Sequence, residues 1–369
     1  MFVLVVNPGS TSTKIALYGA AGELRGISLS HEMRDLAGFA AVADQLDFRK
    51  ALIVEALRRE EWMHGQNPAA VVGRGGLLHP LEGGVYRVNE EMKQDLLRAR
   101  YGSHASNLGA LLADQLAAPY GVPAFIADPV VVDELSPLAR YSGLPEIPRK
   151  SIFHALNQKA TARKAAEALG RRYEECNLIV AHMGGGTSVG IHERGRVADV
   201  NNALDGDGPF AIERAGRLPP GDWLRFIIAR QEDPALLQRR LTGCGGVVAH
   251  LQTNDARLIE QAIEAHLGGG PPVSGLDGAK CLEVMQAMSY QVAKEICSLA
   301  ASVEGRVDAV VLTGGLAHSG WLVAEIRKRV SFLAPVLVFA GENEMEALAA
   351  AAFSALAGRV EVLEYQARP

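Results

Sequence analysis

Three short apolar runs each end in a cluster of glycines and small polar residues. Residues 3–6 lead into Asn7-Pro8-Gly9-Ser10-Thr11-Ser12-Thr13-Lys14, residues 177–181 into His182-Met183-Gly184-Gly185-Gly186-Thr187-Ser188, and residues 307–312 into Thr313-Gly314-Gly315. Such turns present backbone N–H groups and hydroxyls with little steric bulk, which suits a polyphosphate, and glycine lets the backbone approach phosphate closely. In the first cluster Ser10, Ser12 and Lys14 add hydroxyls and a positive charge. A P-loop needs G-x-x-x-x-G-K-[ST] opening a helix. Here the alternation of Ile15 and Leu17 with Ala16 and Tyr18 has the period of a strand. The pattern is a β-hairpin phosphate loop, with an ordinary Ser/Thr-rich turn as the alternative. Thr313-Gly314-Gly315 reads equally well as a tight strand-to-helix turn.

Two arginines stand near such turns. Arg74 follows a buried run and precedes Gly75-Gly76, and Arg214 follows the polar loop 205–210. A guanidinium spreads hydrogen bonds over a carboxylate or a transferring phosphoryl group, although a lone arginine is more often a surface residue. Asp128 precedes Pro129 at the carboxyl end of an expected strand, where open α/β sheets bind ligands. It is a candidate for magnesium or its water shell, with Glu344 as a second, because Mg²⁺ on ATP takes only one or two protein carboxylates. The EF-hand spacing fails from both Asp199 and Asp205, so those acids are expected to order a loop. His182 takes the place of Asn7 in the second cluster and could donate to a phosphoryl oxygen. His79, His104, His154 and His250 have no comparable context. Cys176, Cys244, Cys281 and Cys297 form no C-x-x-C pair and have no histidines at zinc spacing, so free thiols in a reducing cytoplasm are expected.

The elements that must position these groups alternate strand and helix. Strands are expected near 3–6, 15–18, 23–30, 69–73, 123–127, 177–181, directly after the turn 182–188, and near 196–201, 307–312 and 336–339. Helices are expected near 37–63, 90–100, 104–118, 151–171 (Ser151 as N-cap), 222–230, 234–242, 254–266, 278–302 and 347–357. A shift of 175 lays Asn7 on His182, Gly9 on Gly184, Ser12 on Thr187 and Thr13 on Ser188. Strand, turn, strand, Gly turn and third strand repeat in both copies, which implies duplication at half-chain scale. With 369 residues, 48% hydrophobic and 21% charged, the chain has material for two domains with full cores. The boundaries expected are 1–150 and 151–344, with a C-terminal helix at about 345–369 able to pack back on the first. A net charge of −5 offers no general attraction to nucleic acid or anionic membrane. No signal peptide or membrane helix is expected.

Together these runs resemble the acetate kinase family, within the acetate and sugar kinase/heat-shock protein/actin superfamily, and in particular its butyrate kinase branch. The resemblance spans essentially the whole chain. It is carried by 7–14, by Val72-Gly73-Arg74-Gly75-Gly76-Leu77-Leu78, by Ser142-Gly143-Leu144-Pro145-Glu146-Ile147 running into Ser151-Ile152-Phe153-His154-Ala155-Leu156-Asn157, by 182–186, by 199–210 and by 341–348. It implies an α/β fold of two duplicated ribonuclease H-like (actin-like ATPase) domains with a nucleotide cleft between them. It implies reversible transfer from ATP to a short-chain carboxylate, giving ADP and an acyl phosphate, with Mg²⁺. Residue by residue, it implies that Asn7, Ser10, Ser12 and Lys14 form the first phosphate loop. Gly184, Gly185, Gly186, Thr313, Gly314 and Gly315 form the other phosphate turns. Arg74 and Arg214 grip the acyl phosphate region, with Arg217 as the alternative to Arg214. His182 steadies the transition state, Asp128 lies by the metal, and Glu344 is tied to magnesium, with Glu342 and Glu346 as alternatives. A cytoplasmic homo-oligomer, dimer or higher, is the expected form. A sugar kinase of the same superfamily would open its first loop with Asp, where this chain has Asn7.

Overall fold

The computed structural model describes residues 1–62, 65–273 and 275–368. The chain folds as two compact units, Met1–Asp133 with Asn343–Pro369, and Glu134–Glu342.

The first unit opens with β1 (Phe2–Pro8), β2 (Ser12–Gly19) and β3 (Gly22–Ser30). There follow α1 (Met33–Leu36), α2 (Leu46–Arg59), β4 (Ala70–Arg74), β5 (Val85–Arg87), α3 (Glu90–Leu97), α4 (Asn107–Ala117) and β6 (Ala124–Ala127). The second unit carries α5 (Ala155–Ala168), β7 (Asn177–Met183), β8 (Thr187–Glu193), β9 (Arg196–Val200), α6 (Pro220–Arg230), α7 (Pro234–Leu241), α8 (Val247–Leu251), α9 (Ala256–Leu267), α10 (Gly278–Leu299), β10 (Ala309–Gly314), α11 (Gly320–Val330) and β11 (Val336–Ala340). The chain then returns to the first unit as α12 (Glu344–Leu356) and β12 (Val362–Glu364).

Val3, Leu4, Val5 and Val6 are all fully buried, as expected for a central strand covered on both faces. Strand β1 pairs antiparallel with β2 and parallel with β4, and the sheet order is β12-β5-β6-β4-β1-β2-β3. In the second unit β7 pairs antiparallel with β8 and parallel with β10, in the order β11-β10-β7-β8-β9. The five strands β6-β4-β1-β2-β3 therefore have the same order and directions as β11-β10-β7-β8-β9. Helices α4 and α12 pack on the first sheet, and α5 and α10 on the second. Helix α4 approaches β4 so closely that a Cβ on Gly73 would lie 2.1 Å from the carbonyl oxygen of Gly109. The same approach fixes the Arg74 backbone, since a Cβ on Gly109 would lie 2.1 Å from Arg74 O.

The repeat differs from the uniform shift of 175. Pro8 is opposite Thr13, whereas Met183 is opposite Thr187. The first turn leaves four residues unpaired and the second leaves three, so beyond the turn the correspondence runs Thr13 to Thr187 and Lys14 to Ser188. A bulge confirms this phase: it lies between Leu17 and Tyr18 in β2, and between Ile191 and His192 in β8.

Other expectations shift as well. The boundary at 150 falls inside the second unit. Ser136 N–H donates to Ala198 O (2.8 Å) and Arg149 to Asp199 (2.8 Å), tying residues 134–150 to β9. Helix α5 starts at Ala155, and the N-cap position belongs to His154, which makes no side-chain cap. The stretch 37–63 resolves into a 3₁₀ turn at Val42–Gln45 and α2; Met63 lies outside the described residues. Beyond α12 the C-terminal stretch forms β12, pairing Val362 with Val85, rather than continuing as helix; Pro369 lies outside the described residues. Among the described residues no helix is long and apolar enough to cross a membrane.

Candidate active site

In the first unit, β1, β4 and β6 run parallel and end together: Val6 is beside Gly73, and Arg74 beside Ala127. Their carboxyl ends carry Asn7, Arg74 and Asp128. Helix α12 brings Glu344 to the same edge. Asn7 Nδ2 donates to Glu344 Oε2 (2.8 Å), and Arg74 Nη1 donates to the same oxygen (3.1 Å). Three candidates from distant points of the sequence thus meet at one carboxylate, which sits in the first turn of α12, where the helix dipole favours negative charge. Asp128 has φ +37°, uncommon for a non-glycine residue. It is held by Gly84, whose N–H donates to Asp128 Oδ1 (2.8 Å) and whose carbonyl accepts from Asp128 N–H (3.0 Å).

The turn from Gly9 to Ser12 is built around a residue that the sequence did not single out. Arg49, on α2, is 1% exposed. It donates to Gly9 O (2.8 Å), Ser12 O (3.1 Å), Thr13 Oγ1 (3.0 Å) and Ser10 O (3.3 Å), and Gln45 Oε1 holds it from behind (2.8 Å). Thr13 Oγ1 also bonds His31 Nε2 (2.8 Å). With the carbonyls engaged from below, Ser10 and Lys14 stay exposed and Ser12 half-buried. Lys14 is directly opposite Asn7, so the two share a face of the sheet.

In the second unit the same edge is formed by β7 and β10, with His182 beside Thr313. His182 is buried; its Nδ1 meets Asn157 Oδ1 (2.7 Å), and its ring stacks on His154, centroids 3.8 Å apart and planes 12° from parallel. His154 Nδ1 bonds Ser188 Oγ (2.9 Å). Gln158, one turn along α5, donates to Ser188 Oγ (2.7 Å) and to Ser188 O (3.0 Å), and its Oε1 meets His192 Nε2 (3.0 Å). Tyr173 OH closes the chain on His192 Nδ1 (2.7 Å). Burial, with Lys159 and Arg163 nearby, pushes the His192 pKa well below its ordinary value. Neither His154 nor Asn157 stood out as a candidate. Asn157 lies on the first turn of α5, three residues after His154 at the N-cap position.

Gly184 N–H donates to Gly186 O (3.0 Å), and Glu213 N–H to Gly185 O (2.9 Å). Arg214 lies beside this turn: a Cβ on Gly186 would be 3.8 Å from Arg214 Nε. That Nε is sealed from water and has no hydrogen-bond partner. An orphaned, charge-bearing donor of this kind is costly unless an acceptor arrives. Arg217, by contrast, is mostly exposed and lies against Asp207 (3.4 Å) and Glu295 (3.6 Å). Gly314 has a packing reason of its own, since it has φ +87° and its Cβ would lie 2.3 Å from Met183 O. Gly315 faces open space.

The acids at 199–207 order their loop: Asp199 takes Arg149, Asp205 takes Asn202 Nδ2 (3.0 Å), and Gly208 N–H donates to Asp207 Oδ1 (2.8 Å). Among the described residues no three His, Cys, Asp or Glu side chains form a metal cage. The cysteines are unpaired, and burial pushes the thiols of Cys176, Cys281 and Cys297 up, away from nucleophilic activation.

Known proteins are similar to this chain in sequence or in fold. The sequence profile of the acetokinase family matches residues 146–354. Butyrate kinase 2 of Clostridium acetobutylicum is 46% identical over 364 residues, covering 99% of each chain. Among solved structures, Porphyromonas gingivalis acetate kinase superposes with a TM-score of 0.75 at 18% identity, covering 96% of this chain and 99% of its own. A propionate kinase from Francisella tularensis superposes with a TM-score of 0.71 at 16% identity, covering 95% and 98%. Those two likenesses establish the α/β fold, and the end-to-end identity with the clostridial enzyme carries the lineage: the chain belongs to the acetate kinase family.

Proposed function

We propose that this protein is a kinase that transfers the γ-phosphoryl group of Mg-ATP to a short-chain carboxylate, butyrate or a branched relative, and reverses that transfer. The observation that carries the site's chemistry is the buried Arg214 Nε–H, which has no acceptor beside the Gly184–Gly186 turn. It is a place prepared for an anion. The nature of the acceptor rests on the 46% identity with butyrate kinase 2.

The acceptor carboxylate is ionised at neutral pH and needs no general base. The obstacle is repulsion between two anions, so the residues' work is positioning and charge neutralisation. Arg214 and Arg74 take that role; the unpartnered Nε favours Arg214 over its alternative Arg217, which is mostly exposed and faces Asp207 and Glu295. Glu344 holds Asn7 and Arg74 in place. Asn7, a neutral amide, suits a site that must accept a carboxylate beside a phosphate. Ser10, Ser12 and Lys14 line the first phosphate loop, and the glycines of the second approach the nucleotide. Bound magnesium would supply screening of the nucleotide's phosphate charge. Asp128 and Glu344 are the carboxylates that would hold its water shell.

The test is incubation with Mg-ATP, hydroxylamine and a panel of two- to six-carbon acids. Hydroxamate is expected from butyrate and its neighbours, because one methylene changes discrimination by only about 1–3 kcal/mol. Product from a sugar and none from any acid would overturn the reading.

A further inference from the structure

We infer that Asn157 is a positioning residue that fixes the tautomer of His182. The amide of Asn157 is 1% exposed, and each of its ends is identified by its neighbours. One end faces the carbonyl oxygens of Gly341 (3.4 Å) and Glu342. Carbonyls only accept, so that end is Nδ2. The other end is therefore Oδ1, and it lies 2.7 Å from His182 Nδ1. An amide oxygen also only accepts, so Nδ1 must carry the ring proton. Neutral His182 is thus held with hydrogen on Nδ1, against the preference of free imidazole for hydrogen on Nε2.

The consequence falls on Nε2, the ring nitrogen toward the glycine turn, 3.7 Å from where a Gly184 Cβ would stand. Neutral, that atom can only accept. It donates to a phosphoryl oxygen only when the ring is the imidazolium. At the stacked His154, the contact with Ser188 Oγ does not by itself choose a tautomer, since a hydroxyl can either donate or accept. This step rests on the proposed kinase reading; the tautomer does not.

The two are read separately. In ¹⁵N-histidine-labelled protein at alkaline pH, long-range ¹H–¹⁵N correlations should show His182 protonated at Nδ1, the signals being assigned by their loss in His182→Gln. In Asn157→Leu the proton should move to Nε2, while Asn157→Asp, which keeps an acceptor, should retain it on Nδ1. An Nε2–H ring in the unsubstituted protein overturns the inference without any variant. Asn157 Oδ1 accepts from Nδ1–H in the imidazolium as well, so Asn157→Leu also removes a bond from the form that donates. Turnover in that variant should fall about 10- to 100-fold, with KM little changed, and recover partly in Asn157→Asp. A shifted tautomer with unchanged kcat would leave the lock standing and overturn its part in catalysis.

Discussion

The hairpin turns of the two units have the same strands on either side and opposite ways of being held. Beneath the Gly9–Ser12 turn a buried guanidinium, Arg49, satisfies the loop carbonyls from inside the unit. The Gly184–Gly186 turn is held by backbone bonds from Gly184 and Glu213, and the guanidinium beside it, Arg214, is unspent at Nε. The threonines that follow differ in the same sense: Thr13 Oγ1 is bonded twice, and the matching Thr187 Oγ1 is buried with no partner. One turn is finished as a piece of structure, and the other is left with donors in search of an acceptor. Side-chain satisfaction, more than glycine content, separates a rigid loop from a prepared site.

The contrast can be broken most sharply at its two arginines. Arg214→Ala should lower kcat/KM by about 10²–10³, equivalent to about 3–4 kcal/mol of transition-state stabilisation, while thermal unfolding changes little. Arg49→Met should do the reverse. It strands three carbonyls and a hydroxyl, and is expected to cost about 3 kcal/mol in stability, read as a lowered denaturant midpoint. If both variants lose activity at full stability, the turns do not differ as described.

Gly314→Ala is next, at about 2 kcal/mol, because the new Cβ meets Met183 O and φ is positive. Each unit also buries a histidine, His31 beside Thr13 and His192 at the bulge of β8. Burial and Arg49 lower the pKa of His31, and burial lowers that of His192 much further. Unfolded, each takes a proton near pH 6.5 that the folded form refuses. Stability is therefore full above that pH and falls below it, by up to about 1.4 kcal/mol per pH unit for each histidine. Thermal melts from pH 7.5 to 5.5 should show the fall, and His192→Asn should flatten it. The smallest effect is at Gly315→Ala, within about 0.5 kcal/mol, since nothing lies within 4 Å of the new atom.

The strands and glycine turns were readable because apolar runs and turn residues are local signals. Asn7, Arg74 and Glu344 were named from their local settings and resemblance, but their meeting at one oxygen depends on a pairing of β1 with β4 and the return of α12, which no local pattern encodes. Arg49 was unreadable: a basic residue on a helix looks solvated until the carbonyls it serves are in view. His154 was hidden by the assignment of a longer helix, since a histidine at an N-cap position that does not cap has no propensity signature. Strands β5 and β12 pair across most of the chain, and at three residues each they are too short to leave a periodic signal.

The matched bulge at Leu17/Tyr18 and Ile191/His192 also speaks to ancestry. A copied segment inherits such an irregularity along with its strands, whereas two unrelated hairpins would have to acquire it twice. Between the copies one residue was gained or lost, and that event fell within the turn. Within a strand it would have exchanged core and solvent faces. The loop was thus the part of the duplicated gene free to change length, and it is there that the two halves parted: one kept the lysine of its second strand, and the other took a serine bonded to a histidine.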